Sequence, residues 1–273
     1  MSAIPGRCIY MANDFIQQIT YIDLIWSFGL VLLLGIISVV EGLRFERSLG
    51  IGVLRTVIQL SLVGYFLKWI FHLRLMWVIL IIMAVMTVVA VRTAQGRLKK
   101  KYSEFQWLLA VSLVIGCVIT TYVVTHLVVG VKPWWRPEYL LPLFGMILGN
   151  GMTGVALAGE RLQSELEHRK LEIETLLALG YSSHDASANI RRDAMRAGLM
   201  PTINSMMIVG VVQLPGIMSG QILSGVDPTL AVKYQIMVMF MIAGSSGIAS
   251  WIFTRLLLGR YFTSAHQLRY WMI

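Results

Sequence analysis

The stretch WLLAVSLVIGCVITTYVVTHLVV, residues 107–129, decides the class of fold. It contains no Asp, Glu, Lys or Arg, and its length is what an α-helix needs to cross the hydrocarbon core of a bilayer. Similar blocks recur along the 273 residues, which are 57% hydrophobic and only 14% charged. Soluble domains carry about a quarter charged residues. The composition therefore predicts an all-α membrane protein, with residues 1–273 forming a single transmembrane domain.

Seven apolar blocks are long enough to be membrane spans. They cover residues 21–40, 51–71, 75–91, 107–129, 139–157, 199–223 and 231–258. The second block contains polar residues and is followed by a very short loop, so a helix hairpin dipping into the membrane is the alternative there. The N-terminal residues lack the pattern of a signal peptide. Met1 and Met11 are both candidate start residues.

Basic residues predict the orientation of the spans. If the chain starts outside, 16 of its 23 Lys and Arg residues fall on the inner side and six on the outer side. Because Lys and Arg are concentrated in cytoplasmic loops, we expect an outer N-terminus and a cytoplasmic C-terminus. The net charge of +9 is therefore explained by the cytoplasmic loops of a protein that lies in a lipid bilayer. We expect no nucleic acid as a partner.

A polar stretch, residues 159–198, separates the fifth and sixth blocks. Good helix formers fill its first half, and Gly180 is a residue type that ends helices. Ser182 or Ser183 can cap a short second helix that continues to Ile190. The pattern predicts two spans that extend into the cytoplasm and are joined by a short helix. That helix is either part of a solvated loop or a docking element for a soluble partner.

The spacing of Glu174, Gly180 and Ile190 resembles the coupling loop of ATP-binding-cassette importer permeases. In that loop a short helix inserts into the ATPase subunit. The match is partial, because Arg191 and Arg192 stand where the loop has Leu-Pro. The candidate coupling residues are Glu174, Gly180, Tyr181, Ser182, His184, Ile190, Arg191 and Arg192.

Longer motifs resemble one family more specifically. They are Ile190-Arg191-Arg192-Asp193, residues 196–202, 209–220, 227–228 and 233–238, with residues 145–150 and the Arg55, Gln59, Gly64 and Tyr65 set upstream. Together they resemble the small permease family of the bacterial Fet-type iron exporters and the plant aluminium-tolerance membrane subunits. The resemblance extends from the second block onward.

The resemblance implies a non-catalytic membrane subunit of an ATP-binding-cassette transporter. It would form a permease homodimer and work with a separate ATPase subunit that holds ATP and magnesium. The bacterial relatives imply export of iron or another metal, whereas the plant relatives imply a nucleotide sugar, and the residues do not choose between them. The chain has no Gly-rich phosphate loop ending in Gly-Lys-Ser/Thr, so the energy for transport must come from another subunit. The resemblance implies that this chain holds no cofactor and no catalytic residue.

Polar and helix-breaking residues within the spans are candidates for a translocation pathway. Pro215-Gly216 predicts a kink or break in the sixth block, and broken helices in transporters often face the substrate. The alternative is a kink that only shapes packing. Arg55 either faces the protein interior or snorkels to the interface. The candidate pathway residues are Arg55, Gln59, Asn150, Gln213, Pro215, Gly216, Met218, Ser219 and Gln221.

Small residues mark a packing face on the fifth block. Gly145, Gly149 and Gly151 recur at spacings that let helices approach closely, with Asn150 beside them. We expect this face to pack against another helix. Asn150 would either bond across helices or line the pathway.

Two other classes of protein have similar spans. A seven-helix receptor or sensor without transport activity is the alternative function, but a retinal protein needs a Lys deep in its last span, and Lys233 lies at the outer edge. A membrane-embedded enzyme needs paired carboxylates or a His cluster at membrane depth, and the spans have neither. The 16 Met residues are typical core fillers. Because no His, Cys and Asp set has ligand spacing, no metal site is predicted.

Overall fold

The computed structural model describes residues 20–73, 75–100, 102–130, 132–263 and 265–272. Met1 and Met11 lie outside these residues. In the described part the chain is almost entirely helical, which confirms an all-α membrane fold. The α-helices are α1 (Tyr21–Val40), α2 (Glu46–Leu73), α3 (Met76–Arg97), α4 (Ser103–Tyr122), α5 (Pro137–His168), α6 (Lys170–Ala178), α7 (Ser183–Ala186), α8 (Ala188–Ile208), α9 (Gly216–Leu223) and α10 (Pro228–Tyr261).

Six helical segments of the described chain are long and apolar enough to cross a membrane. They are α1, α2, α3, α4 with its π-helical extension Val123–Val128, α5 and α10. Each overlaps one of the predicted blocks, although α3 and α5 continue beyond the predicted ends at residues 91 and 157. α2 is one unbroken helix of 28 residues, which is long enough for a full crossing.

The predicted sixth block, residues 199–223, does not form one helix. α8 ends at Ile208 and α9 begins at Gly216. In the turn between them the Gly210 N–H donates to the Gln213 carbonyl at 2.9 Å, and Gly210 has a φ of 86° that favours glycine. Pro215 has no N–H with which to continue a helix. The predicted break is therefore confirmed, and the count of seven spans stays a prediction.

The chain divides into two compact units. The first contains α1, α2 and Ser219–Pro228. Within it the Ser38 hydroxyl donates to Glu46 Oε1 at 2.7 Å, next to the turn that joins α1 and α2. The second unit contains Arg74–Met218 and Thr229–Ile273, and the candidate site described below lies within it.

α5 is the central helix of the second unit. It packs against α3, α4 and α8, and its contact with α8 is the most extensive. Two glycines make that contact close, because a Cβ added to Gly198 would lie 2.6 Å from the Gly154 carbonyl oxygen. Gly149, predicted to lie on the packing face, has open space where a Cβ would be. The predicted face does pack at Gly151, where a Cβ would lie 3.4 Å from the Cys117 sulfur on α4, while the closest contact with α8 lies further along α5 at Gly154.

Candidate functional site

A cavity of about 200 Å³ lies between α5, α8, α10 and the turn at residues 209–215. Each helix presents one face to it. Thr202, Ser205 and Val209 follow one another at helical spacing, and so do the residues from α10. The polar and turn residues that line the cavity are Asn150, Thr202, Ser205, Gln213, Pro215, Gly216 and Gln235. The helix break therefore forms one wall of a small cavity with a partly polar lining.

Gln235 is the most informative polar residue of this cavity. Its side chain is 7% exposed, and its Oε1 has no hydrogen-bond partner among the described residues. By contrast, the Asn150 side chain donates to the Met146 carbonyl at 2.9 Å, and the Ser205 hydroxyl donates to Pro201 at 3.0 Å. Because an unpaired buried carbonyl costs about 1–3 kcal/mol, Gln235 is suited to a polar or cationic group that enters the cavity.

The lining sets the chemistry of the cavity. Its polar groups are amides and hydroxyls, and Met146 and Met239 add two thioethers. None of the lining residues carries a charge. The cavity can therefore coordinate a small solute through oxygen and sulfur without fixing it by a strong ion pair.

Four of the nine predicted pathway residues meet at this cavity, namely Asn150, Gln213, Pro215 and Gly216. The other five lie elsewhere: Met218, Ser219 and Gln221 are on α9, and Arg55 and Gln59 are exposed on α2 in the first unit. Sequence reasoning missed Thr202, Ser205 and Gln235. Gln235 could have been found from the sequence, because it is the one side-chain amide in the apolar seventh block.

The predicted coupling loop folds as a tight turn between two short helices. We call residues 179–182 the coupling turn. Gly180 has a φ of 90°, and its N–H donates to Leu177 while the Tyr181 N–H donates to Leu176. These two bonds form a Schellman motif, the usual helix end at a glycine. The helix stop predicted at Gly180 is therefore confirmed.

Ser182, one of the two predicted caps, precedes the next helix, but that helix ends at Ala186 and Ile190 lies on α8 instead. The Ser182 hydroxyl accepts from the Asp185 N–H at 3.2 Å and donates to the Asp185 carboxylate at 2.7 Å. The bond from Ser182 lowers the pKa of Asp185, and neighbouring His184 contributes to this shift. The cap fixes where α7 begins.

The candidate coupling residues differ in exposure. Gly180, Tyr181, His184 and Arg192 are exposed, whereas Glu174, Ser182 and Arg191 are partly covered. Ile190 is buried in the core, so it anchors the turn rather than presenting a surface. Leu179 was not predicted, yet it is 70% exposed beside Tyr181. The coupling turn therefore presents two large apolar side chains.

Arg169 connects the coupling loop to the long helices. It lies between α5 and α6 and donates two hydrogen bonds to Glu172, at 2.7 and 2.6 Å. It also lies 3.6 Å from the Asp193 carboxylate on α8. The hydrogen bonds raise the pKa of Arg169 and lower that of Glu172. α5, α6 and α8 are thus joined by one guanidinium.

The chain beyond α10 returns to this loop, which the sequence did not predict. We call residues 262–263 and 265–272 the C-terminal segment. The Ser183 hydroxyl lies 2.8 Å from His266 Nδ1, and Lys170 Nζ lies 3.7 Å from the centre of the Tyr270 ring. Leu268 is buried in the core. The segment therefore supports the loop from one side.

A groove of about 550 Å³ opens between α6, the coupling turn and the C-terminal segment. Glu174, Leu177 and Tyr181 line one wall, and Leu268 and Tyr270 line the other. Glu174 Oε1 is buried there without a hydrogen-bond partner among the described residues. The groove therefore combines apolar and polar side chains with one available carboxylate.

Comparison with known proteins identifies the family. Residues 21–262 match the family described as "Uncharacterised protein family (UPF0014)". A UPF0014 membrane protein of Synechocystis sp. is 39% identical over 92% of this chain and 97% of its own. The probable iron export permease protein FetB of Escherichia coli is 35% identical over 92% of this chain and 96% of its own.

A plant protein is also similar. Protein ALUMINUM SENSITIVE 3 of Arabidopsis thaliana is 32% identical over 88% of this chain and 86% of its own. No solved structure matches the chain significantly. Since the family match covers nearly the whole helical region, the chain is a multi-pass membrane protein that belongs to the UPF0014 family.

Proposed function

We propose that this chain is the membrane subunit of an ATP-binding-cassette transporter, and that a separate ATPase subunit docks at the coupling turn. The observation that carries the proposal is the exposed pair Leu179 and Tyr181 on a turn held rigidly at both ends. Exposed aromatic and aliphatic side chains on a rigid support are what a protein interface requires. ATP and magnesium would be bound by the partner, and this chain would be non-catalytic.

The mechanical path from the turn to the cavity runs along α8. Its first residues lie next to the coupling turn, with Ile190 packed in the core, and Thr202 and Ser205 further along line the cavity. The close contact of Gly198 with Gly154 ties α8 to α5 between these two ends. A displacement of the turn by the ATPase would therefore reach the cavity wall through one helix.

The turn at residues 209–215 supplies the part of the pathway that can rearrange. Backbone groups at such a break are not committed to a regular helix, so they can line a polar path within a membrane. We propose that ATP-driven movement of α8 opens the cavity alternately to the two sides. The proposed arrangement is a permease homodimer in the bacterial inner membrane, with the N-terminus outside and the coupling turn in the cytoplasm.

Iron or another metal ion is the proposed substrate, exported from the cytoplasm. The similarity to a relative named as an iron export permease supports this choice. The cavity supports it independently, because amide oxygens, hydroxyls and thioethers can each contact a metal ion in transit.

Inverted membrane vesicles containing the chain and its ATPase should take up ferrous iron when ATP is added. Gln235→Leu removes the unpaired amide of the cavity and should lower that uptake by about tenfold, the effect of losing one strong polar contact. Gln106→Leu makes the same change at an exposed position outside the cavity and should leave uptake unchanged. Equal uptake with and without ATP would contradict the proposed function, and equal effects of the two substitutions would contradict the assignment of the cavity.

A further inference from the structure

Besides the cavity and the groove, a cleft of about 470 Å³ lies next to the coupling turn in the second unit. We call it the basic cleft. It is formed by the start of α7 and α8, the end of α10 and the C-terminal segment, and its charged lining consists of Arg191, Arg255 and Arg269. We propose that the basic cleft binds a phosphate group, carried either by an anionic phospholipid headgroup or by a soluble phosphorylated compound.

The three guanidinium groups have no acidic partner among the described residues. Among the described residues, no carboxylate lies within ion-pair distance of any of them, whereas Arg161, Arg169 and similar residues have such partners. Arg269 Nε is buried without a hydrogen-bond acceptor. A buried unpaired donor on a charged group is costly, so the site is built to receive an anion.

The charges also act on one another. Partial burial, with the nearby charges of Arg255 and Arg192, lowers the pKa of Arg191, and the opposing effect of Asp185 is the smallest of the causes. Like charges held together in this way store unfavourable electrostatic energy, which an anion would relieve. This supports the proposal beyond the shape of the cleft.

The donors around the cleft suit a phosphate group. Arginine side chains bind phosphate oxygens through paired N–H groups in a fixed plane. The lining also contains the Ser183 hydroxyl, which is hydrogen-bonded to His266 Nδ1 at 2.8 Å. Thr263 adds a second hydroxyl, whose oxygen accepts from the Gln267 N–H at 3.1 Å and whose hydrogen can be donated to the ligand. Arginines and hydroxyls thus line the cleft together.

The position of the cleft favours a ligand at the membrane surface. Leu258 and Phe262 give it an apolar side next to the end of the membrane-spanning helix α10. Trp251, one turn before Arg255, is half exposed. Arg255 Cζ lies 5.2 Å from the centre of the Trp251 ring, which is a cation–π contact. Tryptophan prefers the membrane interface, and basic pockets beside membrane helices bind lipid headgroups.

Native mass spectrometry of the purified full chain tests this proposal. The probes are phosphatidylglycerol, which carries a net negative charge, and phosphatidylcholine, which does not. We expect phosphatidylglycerol to remain bound at least tenfold more than phosphatidylcholine. Arg255→Gln and Arg269→Gln should each reduce that binding by about tenfold, the loss typical of one charged hydrogen-bonding pair.

Arg97→Gln is the matched control, because Arg97 is an exposed arginine outside the cleft with the same charge. Its loss should leave phosphatidylglycerol binding unchanged. Equal losses in Arg97→Gln and in the cleft variants would overturn the proposal, since binding would then reflect net charge alone. Arg255→Lys keeps the charge and should bind at an intermediate level, which separates loss of the site from loss of the fold.

Inorganic phosphate added to the same samples distinguishes the two sources of the phosphate group. If millimolar phosphate displaces phosphatidylglycerol from the wild type, the cleft accepts soluble phosphate, and a soluble phosphorylated ligand is supported. If it does not, the lipid headgroup is supported. If neither phosphatidylglycerol nor phosphate binds above phosphatidylcholine, the proposal is wrong. Because Arg255 and Arg269 lie outside the coupling turn, failure here leaves the proposed ATPase docking unaffected.

Discussion

Replacing both Leu179 and Tyr181 by glutamate should abolish co-purification of the ATPase subunit with this chain. The two side chains are 70% and 54% exposed on the coupling turn, so their loss removes little from the core. Central residues of a protein interface contribute about 2 kcal/mol or more each. The double substitution should therefore weaken binding by roughly a thousandfold. Affinity purification of the tagged chain from cells that produce both subunits measures this effect.

Leu171→Glu is the control for this prediction. Leu171 is 78% exposed at the start of α6, and the coupling turn follows the other end of that helix. This variant should retain the ATPase. Substitution is a sharper test than deletion of residues 180–190, because Ala186 and Ile190 within that range are buried in the core. A double variant that still retains the ATPase at wild-type yield would refute docking at this turn.

Gly198→Ala should lower the stability of the purified chain markedly. The new Cβ would lie 2.6 Å from the Gly154 carbonyl oxygen and 2.8 Å from Ala158 Cβ, so the backbones of α5 and α8 would have to separate. Overpacking of this kind costs about 1–3 kcal/mol, and backbone atoms cannot move aside as a side chain can. The expected result is a clear fall in the thermal unfolding midpoint in detergent.

Gly149→Ala is the matched control, since Gly149 is also a helical glycine of α5. A Cβ there meets no atom within 4 Å. Alanine favours a helix over glycine by about 0.5–1 kcal/mol, so the midpoint should stay the same or rise slightly. If both variants lowered the midpoint equally, the close contact between α5 and α8 would be wrong.

The sequence predicted features that depend on neighbouring residues in the chain. Runs of apolar residues located six helical segments, and Gly180 and Ser182 located a helix end and the next helix start, because these structures form through local backbone bonds. Pro215 located the break between α8 and α9 for the same reason. Each of these signals acts within about one helical turn.

Features that depend on distant parts of the chain were not predicted. Gly154 and Gly198 face each other across two helices, and spacing along one helix cannot show which of several glycines meets the other helix. The C-terminal segment contacts the coupling loop through His266 and Tyr270, which lie about 80 to 100 residues later in the chain. Gln235 could be noticed as a polar residue in a span, but its unpaired oxygen depends on three helices packing together.

The rate of ATP hydrolysis by the partner subunit, measured in proteoliposomes with and without this chain, tests the central claim most directly. A permease subunit that couples to the ATPase should change that rate severalfold, and the Leu179→Glu, Tyr181→Glu double variant should give the rate of the ATPase alone. Leu171→Glu should behave as the wild type. The contradicting result would be one rate of ATP hydrolysis in all three samples: with the wild-type chain, with the double variant and with neither. This chain would then not be the membrane subunit of an ATP-driven transporter.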